Sequence, residues 1–397
     1  MQVFKGKFWY NRHVGKRGDS VISKRKSLRH PRVVEIPLHT TNNNHLKIKV
    51  NDTVTVGQPL THKTYGAYAT VSGTVKAIEQ IDTIYHAFIE NDRKDSKYPH
   101  LKHFSAQDLI KRYFKTYEPF EAWHIKSFKQ LMVPMFSRNE PFVSLDQVAL
   151  NDSIDIVKET LDGLVKLYKL TCVILLITKD MDTRVLSEFK EPTYQIKVVD
   201  ITEEDHLYQA INHYFNGALM TESDYNFITL ERVFHLYDLM INHHPPVINT
   251  IIVSGDSISV PSMIDVRIGT HFKDILELLG GLLETPTPTI LLNHLLQDER
   301  IESTNFPIEL SMHSFHITEA IDRDRYECIA CGECNDHCPV GIIPSKILHT
   351  MDHHKMVGYL KPSLCIECGL CSFYCPSKIP VMDAVKEAKK IVRGRKL

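Results

Sequence analysis

Eight of the nine cysteines lie between Cys328 and Cys375. They form two runs, Cys328-Ile-Ala-Cys331-Gly-Glu-Cys334-Asn-Asp-His-Cys338-Pro339 and Cys365-Ile-Glu-Cys368-Gly-Leu-Cys371-Ser-Phe-Tyr-Cys375-Pro376. Each reads C-x2-C-x2-C-x3-C-P. Three thiolates at this close spacing can wrap a loop around one [4Fe–4S] cubane and take three of its corners, and the fourth corner must come from elsewhere. Gly332 and Gly369 follow the second cysteine of each run, where a residue without Cβ lets the chain pass close to inorganic sulfide. Pro339 and Pro376 turn the chain away after the last ligand. Zinc sites also use C-x2-C pairs, but a third cysteine at the same spacing, followed by Cys-Pro, is not a zinc-ribbon pattern. A disulfide framework belongs to secreted chains, and the first ten residues lack the apolar segment of a secretory leader.

The double run resembles that of bacterial-type ferredoxins, in which the fourth cysteine of each run serves the other cluster. The resemblance implies that Cys328, Cys331, Cys334 and Cys375 hold one [4Fe–4S] cluster, and Cys365, Cys368, Cys371 and Cys338 the second. Helices over 344–356 and 381–392 are expected behind the two loops.

The 397 residues suffice for two to four domains, and 43% hydrophobic with 24% charged residues is a globular composition. A net charge of −1 excludes a globally basic nucleic-acid binder. Charge is uneven: residues 1–32 carry ten Lys/Arg against Asp19, and 386–396 carry six against Glu387. Such ends are solvated surface or a dock for an acidic redox partner or an anionic membrane face. The longest apolar run, residues 172–177, is strand-sized, so a cytoplasmic chain is expected, touching a membrane only through another subunit.

Five segments are expected. Residues 1–32 form a basic lead-in. Residues 33–95 alternate with period two at 33–38, 46–50, 53–56 and 73–78, broken by turn residues. Their order looks like a barrel-sandwich hybrid of the lipoyl/biotinyl type, used as a scaffold, since the neighbours of Lys63 do not match the carrier motif. Residues 96–248 read as an α/β domain, with a short helix at 106–114, a helix from 153, a buried strand at 171–178 holding Cys172, a helix at 183–189, a strand at 195–199 and helices at 203–215 and 230–241. Residues 249–284 resemble a β-grasp module of the soluble-ligand-binding type: two strands around Gly255-Asp256, a third ending at Gly269-Thr270, and a helix stopped by Gly280-Gly281. Residues 285–397 form a helical, ferredoxin-like domain with two [4Fe–4S] clusters. The 22 histidines include two adjacent pairs, whose side chains point apart and make poor joint ligands.

Taken in this order, the segments resemble the RnfC family, the electron-entry component of the Rnf-type ion-translocating ferredoxin:NAD oxidoreductase. They are also similar to the flavin-binding 51-kDa component of complex I and to the cobalamin reductase of bacterial microcompartments. The resemblance implies a peripheral subunit at the inner face of the cell membrane, with other subunits of a membrane redox complex, and ferredoxin or flavodoxin, as partners. It also implies an FMN/NADH site built on a loop Gly-x-Gly-Gly-Ala-Gly-Phe-Pro-Thr, between about 106 and 135. That window holds Trp123, His124, Ile125 and Phe128 instead, and no glycine occurs between Gly73 and Gly163. The family's Glu-Cys-Glu-Pro-Tyr is Arg138-Asn139-Glu140-Pro141-Phe142 here. FMN and NAD are therefore not expected, no catalytic residue is assigned, and an electron-transfer subunit is the leading reading. An FMN-dependent NADH dehydrogenase or cobalamin reductase with a different flavin site, and a structural docking subunit, are the alternatives.

Overall fold

The computed structural model of the chain describes residues 25–62, 67–99, 105–108, 110, 129–135, 145–178, 183–199, 226–228, 230–255, 257–283, 289–292, 300–301, 303–318, 326–338, 340–365, 367 and 369–394. Its N-terminal strand, β1 (Arg25–Leu28), belongs to the third sheet below.

The first sheet is antiparallel and joins β2 (Val33–Pro37), β3 (Thr53–Val54), β4 (Gly73–Ile81) and β5 (Ile84–Asn91) in the order β2-β5-β4-β3. Alternation puts Val34, Ile36, Val54, Val75, Ala87 and Ile89 into one core. The strand expected at 46–50 does not form. There the backbone makes only an isolated bridge, Leu46 to Thr61, and the Asp52 side chain takes a donor, its Oδ2 accepting from the Lys49 N–H (2.7 Å). Lys63 lies outside the described residues.

The second sheet is parallel, with β6 (Gln130–Pro134), β7 (Cys172–Thr178), β8 (Tyr194–Val199) and β9 (Asn226–Phe227) in the order β8-β7-β6-β9. Helices α1 (Leu145–Tyr168) and α2 (Leu230–Met240) cover it with Leu161, Leu164, Val233 and Leu236. Strand β6 is not predicted from the sequence: Leu131, Met132 and Val133 are all fully buried, which erases the alternation that marks a strand. Helix α1 starts before Ser153, which has non-helical angles (φ −145°, ψ 20°) where two helical segments join. The helix expected at 183–189 is a 3-10 turn, Thr183–Glu188. Cys172 is buried, as expected of a small core residue. The helix expected at 203–215, most of that at 106–114, and nearly all of the window for a flavin loop lie outside the described residues.

The third sheet is mixed, joining β1 with β10 (Ile248–Ser254), β11 (Ser262–Arg267), β12 (Thr289–Leu292), β13 (Arg300–Ile301) and β14 (Ser314–Thr318) in the order β1-β11-β10-β14-β12-β13. Helix α3 (Phe272–Leu278) packs on it and stops at Gly280 and Gly281. This sheet corrects three expectations. β1 comes from the supposed lead-in, and β12–β14 come from the segment assigned to a helical domain. The strand expected just after Gly255-Asp256 is replaced by a single bridge, Ile258 to Leu282. The aromatic interior explains the larger extent: Phe306 and Phe315 lie within 5.1 Å and 4.4 Å of the Phe272 ring, so residues beyond 284 complete the core.

Beyond residue 326 the chain forms short helices: α4 (Glu333–Asp336), α5 (Pro344–His349), α6 (His354–Tyr359), α7 (Leu370–Phe373) and α8 (Val381–Gly394). The helix expected over 344–356 breaks after α5, where Thr350 Oγ1 donates back to the Lys346 carbonyl (2.6 Å). Among the described residues no helix is long and apolar enough to cross a membrane.

Candidate iron–sulfur centre

Each position from Cys328 to Cys338 has a counterpart 37 residues later in Cys365 to Cys375, and the backbone repeats with it. Ala330 and Glu367, the residues before the second cysteine, have φ 54° and 58°; Gly332 and Gly369, the residues after it, have φ 84° and 82°. Two left-handed residues flanking one cysteine curl each loop around a common centre. A short helix follows in both halves, α4 and α7. Its third residue then reaches the next helix: Asn335 Oδ1 accepts from the Ser345 N–H (3.1 Å), and Ser372 Oγ from the Met382 N–H (2.9 Å). After the fourth cysteine the turn also repeats, with Gly341 N–H on the Cys338 carbonyl and Lys378 N–H on that of Cys375.

The two halves meet at His337 and Tyr374, counterparts immediately before Cys338 and Cys375. Their rings stack with centroids 3.5 Å apart at 16°, and His337 Nδ1 lies 2.9 Å from the Glu333 carbonyl, to which it can donate. This stack brings each fourth cysteine towards the other loop. Burial raises the Cys334 thiol above its ordinary pKa of 9.0, and the Cys375, Cys331 and Cys328 sulfurs raise it further. Cys375 is likewise raised by burial and by Cys331 and Cys328, against N–H groups of Ile379 and Ser377 that favour its thiolate. In the other set, burial raises Cys365, with Glu367 and Cys338 adding to it; the Glu367 N–H, which reaches Cys365 Sγ at 3.3 Å, and Lys389 act the other way. Cys371 is buried, and Cys368 lies outside the described residues.

Cys334 and Cys375 pack against one apolar cluster and Cys338 and Cys365 against another; among the described residues no three His, Cys, Asp or Glu side chains are close enough to hold a single metal ion. Thiols gathered at this spacing bind a metal centre as thiolates, with the cationic core in place of their protons. The residues present fit [4Fe–4S] clusters. Spacing alone did not identify Asn335, Ser372, His337, Tyr374 or Lys389; the 37-residue offset was the available signal.

Residues 327–379 match a family model described as a 4Fe-4S dicluster domain, so this part of the chain is an iron–sulfur domain. The chain is 29% identical over 117 residues to the C component of the ion-translocating oxidoreductase complex of Rhodobacter capsulatus, covering 28% of this chain and 22% of that protein. It is 32% identical over 100 residues to the C component of the proton-translocating ferredoxin:NAD(+) oxidoreductase complex of Clostridium ljungdahlii, covering 24% and 21%. These matches span about a fifth of the relatives' length. A solved NAD+-reducing [NiFe]-hydrogenase aligns with a TM-score of 0.44 at 8% identity, over 67% of this chain and 60% of that one. Over about a quarter of its length the chain is thus similar to RnfC-type proteins, in line with the sequence resemblance.

Proposed function

We propose that the chain is an electron-transfer subunit of a membrane-associated, ion-translocating redox complex. What supports this most is that Cys375 packs with Cys334 of the first run against one apolar cluster, and Cys338 with Cys365 of the second run against another. In this reading Cys328, Cys331, Cys334 and Cys375 hold one [4Fe–4S] cluster, and Cys365, Cys368, Cys371 and Cys338 the other. A bound cluster of this type supplies reversible one-electron transfer at a potential set by its surroundings. The chain's residues supply those surroundings. The thiolates fix the position. The N–H groups of Glu367, Ser377 and Ile379 favour negative sulfur. Val381 and Met382 pack beside Cys371 and keep water from it.

The rest of the chain is read as scaffold. The β2–β5 sheet is a barrel-sandwich hybrid over about 33–95, the parallel sheet a degenerate 51-kDa-type domain over 96–248, and the third sheet a β-grasp module extended to residue 318. Partner subunits place the chain at the inner face of the membrane, with ferredoxin or flavodoxin as an exchange partner. The test is a cofactor inventory on anaerobically purified protein. About eight irons and eight acid-labile sulfides per chain are expected; bound zinc without sulfide would overturn the reading.

A further inference from the structure

The two cysteine loops repeat so closely that a difference between them is informative. Ala330 and Glu367 occupy the same left-handed position, but only Glu367 carries charge. Its Oε1 accepts from Lys389 Nζ at 2.7 Å, and the same ammonium donates to the Cys365 carbonyl at 2.7 Å. The Lys389 side chain is only 12% exposed. Its counterpart in the first half is Asp352, an exposed residue beyond the end of α5. The two ligand sets also differ in access to water: Cys328 and Cys331 are exposed with Cys334 and Cys375 partly buried, whereas Cys338 and Cys365 are partly buried and Cys371 is buried.

Reduction adds an electron to a centre already ringed by four thiolates. Away from water that extra negative charge is poorly tolerated, so the more buried centre should be harder to reduce. A cation held in the same low-dielectric surroundings opposes this, because its attraction is little screened there. We infer that Lys389, gripped by Glu367 and the Cys365 carbonyl, raises the reduction potential of the cluster held by Cys365, Cys368, Cys371 and Cys338, and so decides which of the two clusters retains the electron. This inference rests on the two-cluster reading above.

The experiment is a redox titration of the full chain, purified anaerobically, with each cluster followed by its paramagnetic signal and iron and sulfide counted on every variant. Lys389→Gln should lower the reduced-to-oxidised ratio of the second cluster about tenfold at a fixed ambient potential, a shift of ~59 mV for one electron. Glu367→Gln, which keeps the ammonium and removes the carboxylate, should shift the same cluster upwards. Lys389→Arg should restore the parent value, and the Cys328 cluster should stay where it is in all three. An ion pair with a purely structural role predicts the same direction for both charge-removing variants, or equal movement of both clusters. Either outcome overturns the inference, as does no shift in loaded protein. Should Lys389→Gln fail to load, Glu367→Gln alone decides, an upward shift supporting the inference and its absence overturning it. A parent protein without iron would instead defeat the two-cluster reading itself.

Discussion

Where the first sheet meets the third, a buried carboxylate is fully engaged by protein. Glu35 is 5% exposed; its two oxygens lie 2.7 Å from His86 Nδ1 and 2.7 Å from His271 Nε2. Arg267 reaches across the same join to the Thr70 and Arg29 carbonyls and to Asp95. Each side has an apolar interior of its own behind these contacts. In the cysteine-rich part the apolar interior is thin. Ile342, Ile347, Val357, Val385 and Ala388 form one cluster, and Val381 and Met382 line the Cys371 side. The thiols there face one another. The sheets are thus held by burial and by the polar contacts across their join, while in the proposed two-cluster reading the C-terminal part draws on what its sulfurs bind.

The largest expected effect attacks that dependence. Cys338→Ser should disturb the cluster whose other ligands are Cys365, Cys368 and Cys371, and Cys375→Ser the one at Cys328, Cys331 and Cys334. Paramagnetic spectra and iron counts of the two variants report which cluster changes. Disturbance confined to the variant's own loop would replace crossed ligation with local ligation. The sheets should be untouched in both variants, which far-UV circular dichroism at moderate temperature checks.

This contrast also governs what the sequence reveals. The cluster site is legible because ligand spacing is local: C-x2-C-x2-C places three thiols on one loop whatever the rest of the chain does. Edges of sheets are less legible. β1 is a basic stretch, Arg25-Lys26-Ser27-Leu28, whose strand state comes from pairing with Met263 to Val266 across the chain. β6 is obscured by complete burial. The His271–Glu35 contact joins residues far apart in sequence, and neither the composition nor the period of either segment marks it.

A smaller effect tests the polar join. Burial pushes the Glu35 carboxyl up, but the hydrogen bond and charge of His271, and then those of His86, outweigh it and hold it below its ordinary 4.5. The hydrogen bond to Glu35 raises His271 above 6.5 despite burial, and Asn305 Oδ1 faces its other nitrogen at 3.0 Å. A raised histidine contributes stability that is complete below 6.5 and lost as pH rises through its folded value. A lowered carboxyl contributes stability present above 4.5 and lost as pH falls through its folded value. The join should therefore be tightest between these limits. Glu35→Ala, leaving two imidazoles without their anion, should cost about 3 kcal/mol near pH 6 and flatten the loss of stability above pH 6.5. Denaturant midpoints measured across pH would show it; an unchanged pH profile would remove the ion pair from the account.

The smallest effect is the difference that one substitution makes between the two settings. Gly269 and Gly332 have φ 91° and 84°, so alanine at either must adopt a left-handed backbone, at a cost of about 1–2 kcal/mol. Their surroundings differ. A Cβ on Gly332 would meet nothing within 4 Å, whereas one on Gly269 would lie 2.6 Å from Ile36 Cδ1 and 2.9 Å from the Glu35 carbonyl. Ile36 can shift, but the Glu35 carbonyl belongs to β2, and moving it disturbs the sheet join. Against the protein's own atoms Gly332→Ala should therefore cost the backbone term alone; a larger fall in the denaturant midpoint of cluster absorbance would report contact of the new Cβ with bound sulfide. Gly269→Ala should cost that term plus roughly 1–3 kcal/mol of overpacking, read in the midpoint of the far-UV signal. At Gly332 no protein atom opposes a Cβ, whereas at Gly269 backbone already fills the space. Equal costs at the two sites would mean that the join yields as readily as the loop.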